Sequence, residues 1–263
     1  MSSPDLAVFG NVAVANLRKV VTEMLRYLPN TLSLLVTFYA IFLFMLLGVR
    51  VLGDPAAADA NIRYVMVANA FWFLLILGVS SMGWEITTEA TRGTLEQLYM
   101  TTTPAWFVLL TRMVATLAVN VVLLAAMVAL SMATARQWLN LDLVAVAAIL
   151  PPMLLAVVGL GFMVAGLAIV FKQIQAMLQI VQFVFMAMAF VPIAAAPVLE
   201  LAPAVKGIDM ARQVLAEGRA LASFAAGDWF SLLASGVAYL ALGLIVFRLC
   251  ERRAMTRGLL GQY

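Results

Sequence analysis

The side chains that most often carry chemistry are sparse in this sequence. It has no histidine, one cysteine (Cys250) and three lysines, Lys19, Lys172 and Lys206. A zinc centre would have to be built almost wholly from carboxylates, a poor fit to that metal. A lone cysteine forms no intrachain disulfide. No lysine stands in a Gly-x-x-x-x-Gly-Lys-Ser/Thr string, so the chain is not its own P-loop ATPase. Acid–base work would fall to Asp and Glu. These lie outside the long apolar runs or at their ends, which supports neither a proton relay nor a membrane-embedded enzyme. What remains is recognition by charge. Glu85, Glu89, Arg92 and Glu96 are spaced i, i+4, i+7 and i+11, one stripe of a continuous helix.

Gly93 interrupts that stripe. Thr94 then reads as an N-cap, with Gln97 three residues on to complete a capping box. Thr103 and Pro104 repeat the start signal, with Pro at the first helical position. The spacing predicts a short helix from about Leu95 to Thr101, between two turns. The string Arg92-Gly93-Thr94-Leu95-Glu96-Gln97-Leu98, followed by Thr103-Pro104, resembles the signature of the type-2 ABC exporter permeases. In that family the stretch is a cytoplasmic coupling helix that contacts the ATPase subunit. The resemblance assigns that contact to Glu89, Arg92, Gly93, Thr94, Leu95, Glu96, Gln97 and Leu98. It also implies two P-loop ATPase subunits per complex, which hold the ATP and Mg, a second permease chain (identical or paralogous), and no cofactor in this chain.

A weaker likeness lies later. Pro192, Pro197 and Pro203 punctuate the chain before a short amphipathic stretch, Ile208 to Glu217. Ile208, Ala211 and Leu215 share one face, and Asp209, Gln213 and Glu217 another, with Gly218 as a C-cap. Asp209-Met-Ala-Arg212 is similar to the family's segment after its proline-rich turn, although Gly207-Ile208 stands where the family often has Asn-Pro. The family carries a re-entrant hairpin there, on the outer face.

These segments must be held by membrane helices. Of 263 residues, 65% are hydrophobic and 11% charged, against about 25% charged in a soluble domain. A helical crossing needs about 20 predominantly apolar residues. Six segments qualify: Thr31–Val49, Tyr64–Trp84, Trp106–Ala133, Leu143–Phe171, Ile174–Leu199 and Trp229–Leu249. With both termini in the cytoplasm, the inner side takes Arg18, Lys19, Arg26, Arg92, Arg112, Lys172, Arg248, Arg252, Arg253 and Arg257. The outer side takes Arg50, Arg63, Arg136, Lys206, Arg212 and Arg219. That bias favours both ends inside, in the cell (inner or plasma) membrane. Arg112 and Arg248 lie near span ends and read as snorkelling side chains. The net charge of +3 comes without a dense basic cluster, so nucleic acid is not an expected partner; the lipid bilayer is. Met1 to Leu6 lacks the basic start of a cleaved signal peptide.

Before the first span, Leu17, Val20, Val21, Met24, Leu25 and Leu28 share a helical face, and Arg18, Lys19, Thr22, Glu23 and Arg26 the other. That pattern predicts an interfacial helix over 10–28, with Arg18, Lys19, Glu23 and Arg26 in the headgroup layer. Small-xxx-small pairs, Gly161/Ala165 and Ser231/Ser235, predict close helix packing. Aromatics cluster in spans one, two and five; if the family's layout holds, Phe38, Phe42, Phe71, Trp72 and Phe183 are candidates for an apolar translocation path. The expectation is one all-α membrane domain over 1–263: an interfacial helix, six spans, a coupling loop at 85–104 and an outer hairpin at 200–228. It would serve as the permease of an exporter for a hydrophobic or amphipathic cargo of drug, lipid or antibiotic type. A polysaccharide or lipid-linked glycan exporter shares the six-span layout but would want a more polar path. A non-ABC, proton-coupled secondary transporter would need midplane carboxylates.

Overall fold

The computed structural model describes residues 6–100, 103–171 and 173–257. It is helical, with no strand among the described residues. Helix α1 (Leu6–Arg26) breaks at Tyr27, and α2 (Leu28–Leu52) begins with Pro29 in its first turn, where a missing N–H is harmless. Then come α3 (Ala58–Thr91), the short α4 (Leu95–Tyr99), α5 (Ala105–Ala135), α6 (Leu143–Phe171) and α7 (Gln175–Phe190). A 3₁₀ turn (Pro197–Leu201), α8 (Val205–Leu215) and α9 (Ala226–Thr256) complete the chain. Helices α2, α3, α5, α6 and α9 are each long and apolar enough to cross a membrane.

The fifth expected span, Ile174–Leu199, is shorter than its apolar run. Its helix stops at Phe190, because Val191 precedes Pro192 and is forced into extended backbone (φ −89°, ψ 121°). Sixteen residues rise about 24 Å, less than the roughly 30 Å hydrocarbon core. Lys172, placed on the inner side by the charge count, lies outside the described residues.

Helix α3 is the hub. It packs against α2, α5, α6, α7 and α8, and 78% of its most apolar stretch is buried inside the chain. At 34 residues it is about 51 Å long, so its last turns project past any bilayer core and carry Glu85 and Glu89 with them. Helix α7 runs antiparallel beside it. Ile174 and Leu178 lie against Gly83, the Trp72 indole donates to the Gln182 carbonyl (3.2 Å), and the Tyr64 hydroxyl donates to the Phe190 carbonyl (2.8 Å).

Helices α6 and α9 make the closest backbone contact. They run parallel: Pro152 lies opposite Gly236, Gly159 opposite Tyr239 and Gly243, and Gly166 opposite Phe247 and Cys250. The seam is thus built from glycines seven apart on each helix, not from the predicted pairs. Gly161 instead faces the Met113 and Met82 side chains, and Ser231 sits near Glu200. Without a hydrophobic drive between helices in lipid, removing side chains so that backbones touch is what holds such a pair.

Helix α8 departs from the sequence reading. Ile208, Ala211 and Leu215 are buried as expected, but so are Val205, Gly207, Met210, Arg212 and Val214. The helix is plugged between α3, α6 and α9 at one end of the bundle rather than resting on its surface. It starts at Val205 and ends at Leu215, three and two residues earlier than expected.

Candidate functional site

The turn between α3 and α4 is set by backbone hydrogen bonding. Gly93 adopts φ +69°, a left-handed conformation that suits glycine. The Gly93 N–H donates to the Ala90 carbonyl and the Thr94 N–H to the Glu89 carbonyl, both at 3.0 Å. These are the two bonds of a Schellman motif, which terminates α3 and re-aims the chain. Thr94 does not cap α4. Its hydroxyl turns back and donates to the Glu89 carboxylate, so the predicted Thr94/Gln97 capping box is not formed. Helix α4 ends at Tyr99, and Thr101, its expected end, lies outside the described residues. Helix α5 begins at Ala105, one residue after the expected Pro104.

The stripe Glu85, Glu89, Arg92, Glu96 is split by this turn. Glu85 and Glu89 face inward, onto Arg112 of α5: the guanidinium donates to Glu85 and, at 3.1 Å, to Glu89. Glu85 also accepts from the Lys19 ammonium of α1 (3.0 Å), and Lys19 lies 3.9 Å from Glu23. The result is one chain of alternating charge, Glu23–Lys19–Glu85–Arg112–Glu89–Thr94, that ties α1, α3, α5 and the α4 turn together. Arg112 is not a snorkelling side chain; only 12% of it is exposed. Sequence reading placed Lys19 among headgroup-facing residues, whereas the structure turns it onto Glu85. Arg18, Glu23 and Arg26 are exposed. The signal that could have found the network is the need of an arginine eight positions inside a helix for a carboxylate at the same depth. Glu85 and Glu89 at the end of the preceding helix supply it.

Two further bonds dock α1 on α5: the Asn16 amide donates to Thr111 Oγ1 (2.7 Å) and to the Val108 carbonyl (3.4 Å). The apolar face predicted for α1 is only partly used: Leu17, Leu25 and Leu28 remain exposed.

Helix α4 itself has an inner and an outer side. Leu95 is 2% exposed and serves as its anchor in the bundle. Leu98 and Tyr99 pack against the same core. Burial and the nearby Glu251 carboxylate both push the Tyr99 phenol above its ordinary pKa, so it stays neutral. Arg92, Gly93, Glu96, Gln97 and Met100 are exposed. This is a small, charged, firmly supported surface.

No family model, curated protein or solved structure matches this chain.

The aromatic candidates divide sharply. Phe38, Phe42, Phe71 and Trp72 are all buried within the chain. Phe38 stacks edge-on against Trp72 and Phe73 at centroid distances of 5.0 and 4.8 Å. Phe38 packs α2 on α3 through these contacts, and Trp72 also stacks on Phe190 of α7. Phe183 alone of the five is exposed, at 66%, on the outer side of α7 with Ile180 and Val184.

At the opposite end of the bundle Arg212 of α8 is 3% exposed. It pairs with Asp209 (3.3 Å), donates to the Ala189 carbonyl at the end of α7 (3.1 Å), and lies 4.2 Å over the Tyr64 ring. Lys206 bridges Glu200 (2.9 Å) and Asp228 (2.8 Å), clamping α8 between the 3₁₀ turn and α9. These contacts make the α8 end rigid.

Proposed function

We propose that the chain is the membrane-spanning permease subunit of an ABC exporter, working as one of two such subunits and driven by two separate P-loop ATPase subunits that hold ATP and Mg. The observation that carries this reading is the mounting of α4. A five-residue helix has too few internal bonds to hold itself, yet here it is fixed by a Schellman turn, by Leu95 and by the Glu89–Arg112 pair, with Arg92, Glu96 and Gln97 presented outward. A push on that surface passes to α3 and α5 through short, charge-assisted bonds, and to α1 through Lys19. In this reading the α4 end is cytoplasmic, α7 makes the sixth crossing, and the membrane is the cell membrane with both termini inside. The residues for the ATPase contact are Arg92, Glu96 and Gln97, with Glu89, Thr94, Leu95 and Leu98 as their support.

The cargo is hydrophobic or amphipathic, because transfer of apolar surface from water is favoured by about 25 cal/mol per Å² and the exposed flank of α7 offers Phe183 to a facing subunit. The test is Glu96→Lys in the assembled complex. Charge reversal on the exposed face is expected to lower ATP-dependent transport at least tenfold while the chain still inserts. Unchanged transport, or failure of the chain to copurify with any P-loop ATPase, overturns the proposal.

A further inference from the structure

Helix α9 closes on four arginines, Arg248, Arg252, Arg253 and Arg257, and all four are exposed. Among the described residues no ion pair or side-chain hydrogen bond holds any of them. The one carboxylate in this stretch, Glu251, is partly buried and lies beside Tyr99 of α4. Arg248 and Arg252 feel its charge without forming an ion pair with it. Four cations against one carboxylate leave this helix end strongly positive. The helix dipole accounts for a cation in the last turn, Arg253, but not for Arg248, about two turns from the end.

Depth and direction decide what these groups meet. Trp229 to Phe247 carries no charged residue and rises about 28 Å, close to the roughly 30 Å of a hydrocarbon core. Arg248 therefore stands at the edge of that core, with Arg252 and Arg253 about 6–8 Å beyond it, at the level of lipid phosphates. Gly236, Gly243, Phe247 and Ala254 turn to the bundle and are buried. Ile245, Arg248, Leu249, Arg252 and Arg253 are spaced three and four apart, so they share the opposite face. Leu242, Ile245 and Leu249 are exposed there. An apolar stripe suited to acyl chains thus runs directly into a stripe of unpaired guanidinium groups.

We infer that this face of α9 binds anionic phospholipid, with headgroup phosphates at Arg248, Arg252 and Arg253 and acyl chains along Leu242, Ile245 and Leu249. A guanidinium matches two phosphate oxygens at once. A zwitterionic headgroup compensates its own phosphate with its ammonium, whereas an anionic one leaves that charge to the arginines. Each arginine just outside a crossing is worth about fivefold in affinity for an anionic surface. The inference does not rest on the exporter reading; it requires only that α9 crosses a bilayer.

Native mass spectrometry of the full chain tests it, after equilibration in detergent with equal amounts of phosphatidylglycerol and phosphatidylethanolamine. The parent is expected to retain phosphatidylglycerol over phosphatidylethanolamine by about 25-fold, the worth of two arginines. The double variant Arg252→Gln, Arg253→Gln should retain the two equally. Both side chains are exposed and unpaired, so its unfolding temperature in phosphatidylethanolamine should match the parent's. Arg18→Gln with Arg26→Gln removes two exposed charges from α1 and should leave the parent's ratio unchanged. A parent without preference leaves the arginines to water or to a protein and overturns the proposal. So does a preference that survives in the α9 variant, or one that the α1 pair removes equally, which would make it an effect of net charge.

Discussion

Replacing Gly243 with alanine tests the α6–α9 seam. A Cβ there would fall 2.5 Å from the Gly159 carbonyl carbon and 2.7 Å from its Cα, and closer still to the oxygen. Ordinary contact begins near 3.4 Å, so clearing the carbonyl carbon alone needs a retreat of about 0.9 Å, and the oxygen needs more. The colliding atoms are backbone and cannot swing aside. A gap of that size forfeits roughly a quarter to a half of each dispersion contact it opens, including those at Gly166 and Gly236 and the Phe162–Phe247 ring pair at 5.3 Å. Overpacking of this kind costs about 1–3 kcal/mol, and the backbone collision puts it at the upper end. By the scaling for a chain of this size, about 3 kcal/mol lowers the unfolding temperature by roughly 6–12 °C. Gly161→Ala is the informative control. Its Cβ would meet Met113 Sδ at 2.7 Å, the far end of a flexible side chain, so about 1 kcal/mol suffices. Gly10→Ala meets nothing within 4 Å and should be neutral or stabilising. Thermal unfolding of the detergent-solubilised protein, followed by tryptophan fluorescence, ranks the three. If Gly243→Ala unfolds within about 2 °C of the parent, or Gly161→Ala proves the more damaging, the glycine seam does not hold the two helices.

The remaining predictions use the two ends of the bundle. Arg112→Gln takes the cation from Glu89 and leaves Glu85 to Lys19 alone, and should cost about 2–3 kcal/mol, partly restored when Glu89→Gln is added; additive losses would mean the network is not coupled. Topology is read in a Cys250→Ala background, with Glu96→Cys and Glu217→Cys as exposed positions on the α4 and α8 ends; the six-crossing reading fails if both label from one side. The Lys206 clamp should make stability fall at both pH extremes. The hydrogen bond from Lys206 chiefly holds Glu200 below the ordinary carboxylate range, so its contribution is present above about pH 4.3 and is lost as the pH falls through the lower folded value. Burial opposes the Lys206 charge, but Asp228 and Glu200 outweigh it and raise its pKa. Its contribution is full below about pH 10.4 and lost as the pH rises through the folded value. Lys206→Met should flatten both limbs of an unfolding-temperature curve against pH, and an unchanged curve would remove the clamp from the argument.

Much of the architecture is written in local chemistry. Apolar run length set five long helices, since lipid leaves a backbone no partner but its own. Gly93 set the turn after α3 because only its neighbours' spacing and a positive φ close a Schellman motif there. Pro192 set the end of α7, although reading the apolar run past it made that helix nine residues too long. The α1 helix was legible from periodicity, and α4 from the Gly93 break before it and the Pro104 start signal after it. What only the tertiary structure decided is which side of each helix is used. Periodicity cannot tell lipid from protein when every face is apolar, so Phe38, Phe42, Phe71 and Trp72 looked available although they are packed away. Gly161 and Ala165 looked like a helix seam, although Gly159 and Gly166 form it. Charge pairs follow the same logic. Lys19, Glu85 and Arg112 are separated by dozens of residues, and nothing local shows that three helices bring them within one hydrogen-bonded chain. Desolvation at a shared depth requires them to meet, and depth is a property of the assembled bundle rather than of any one helix.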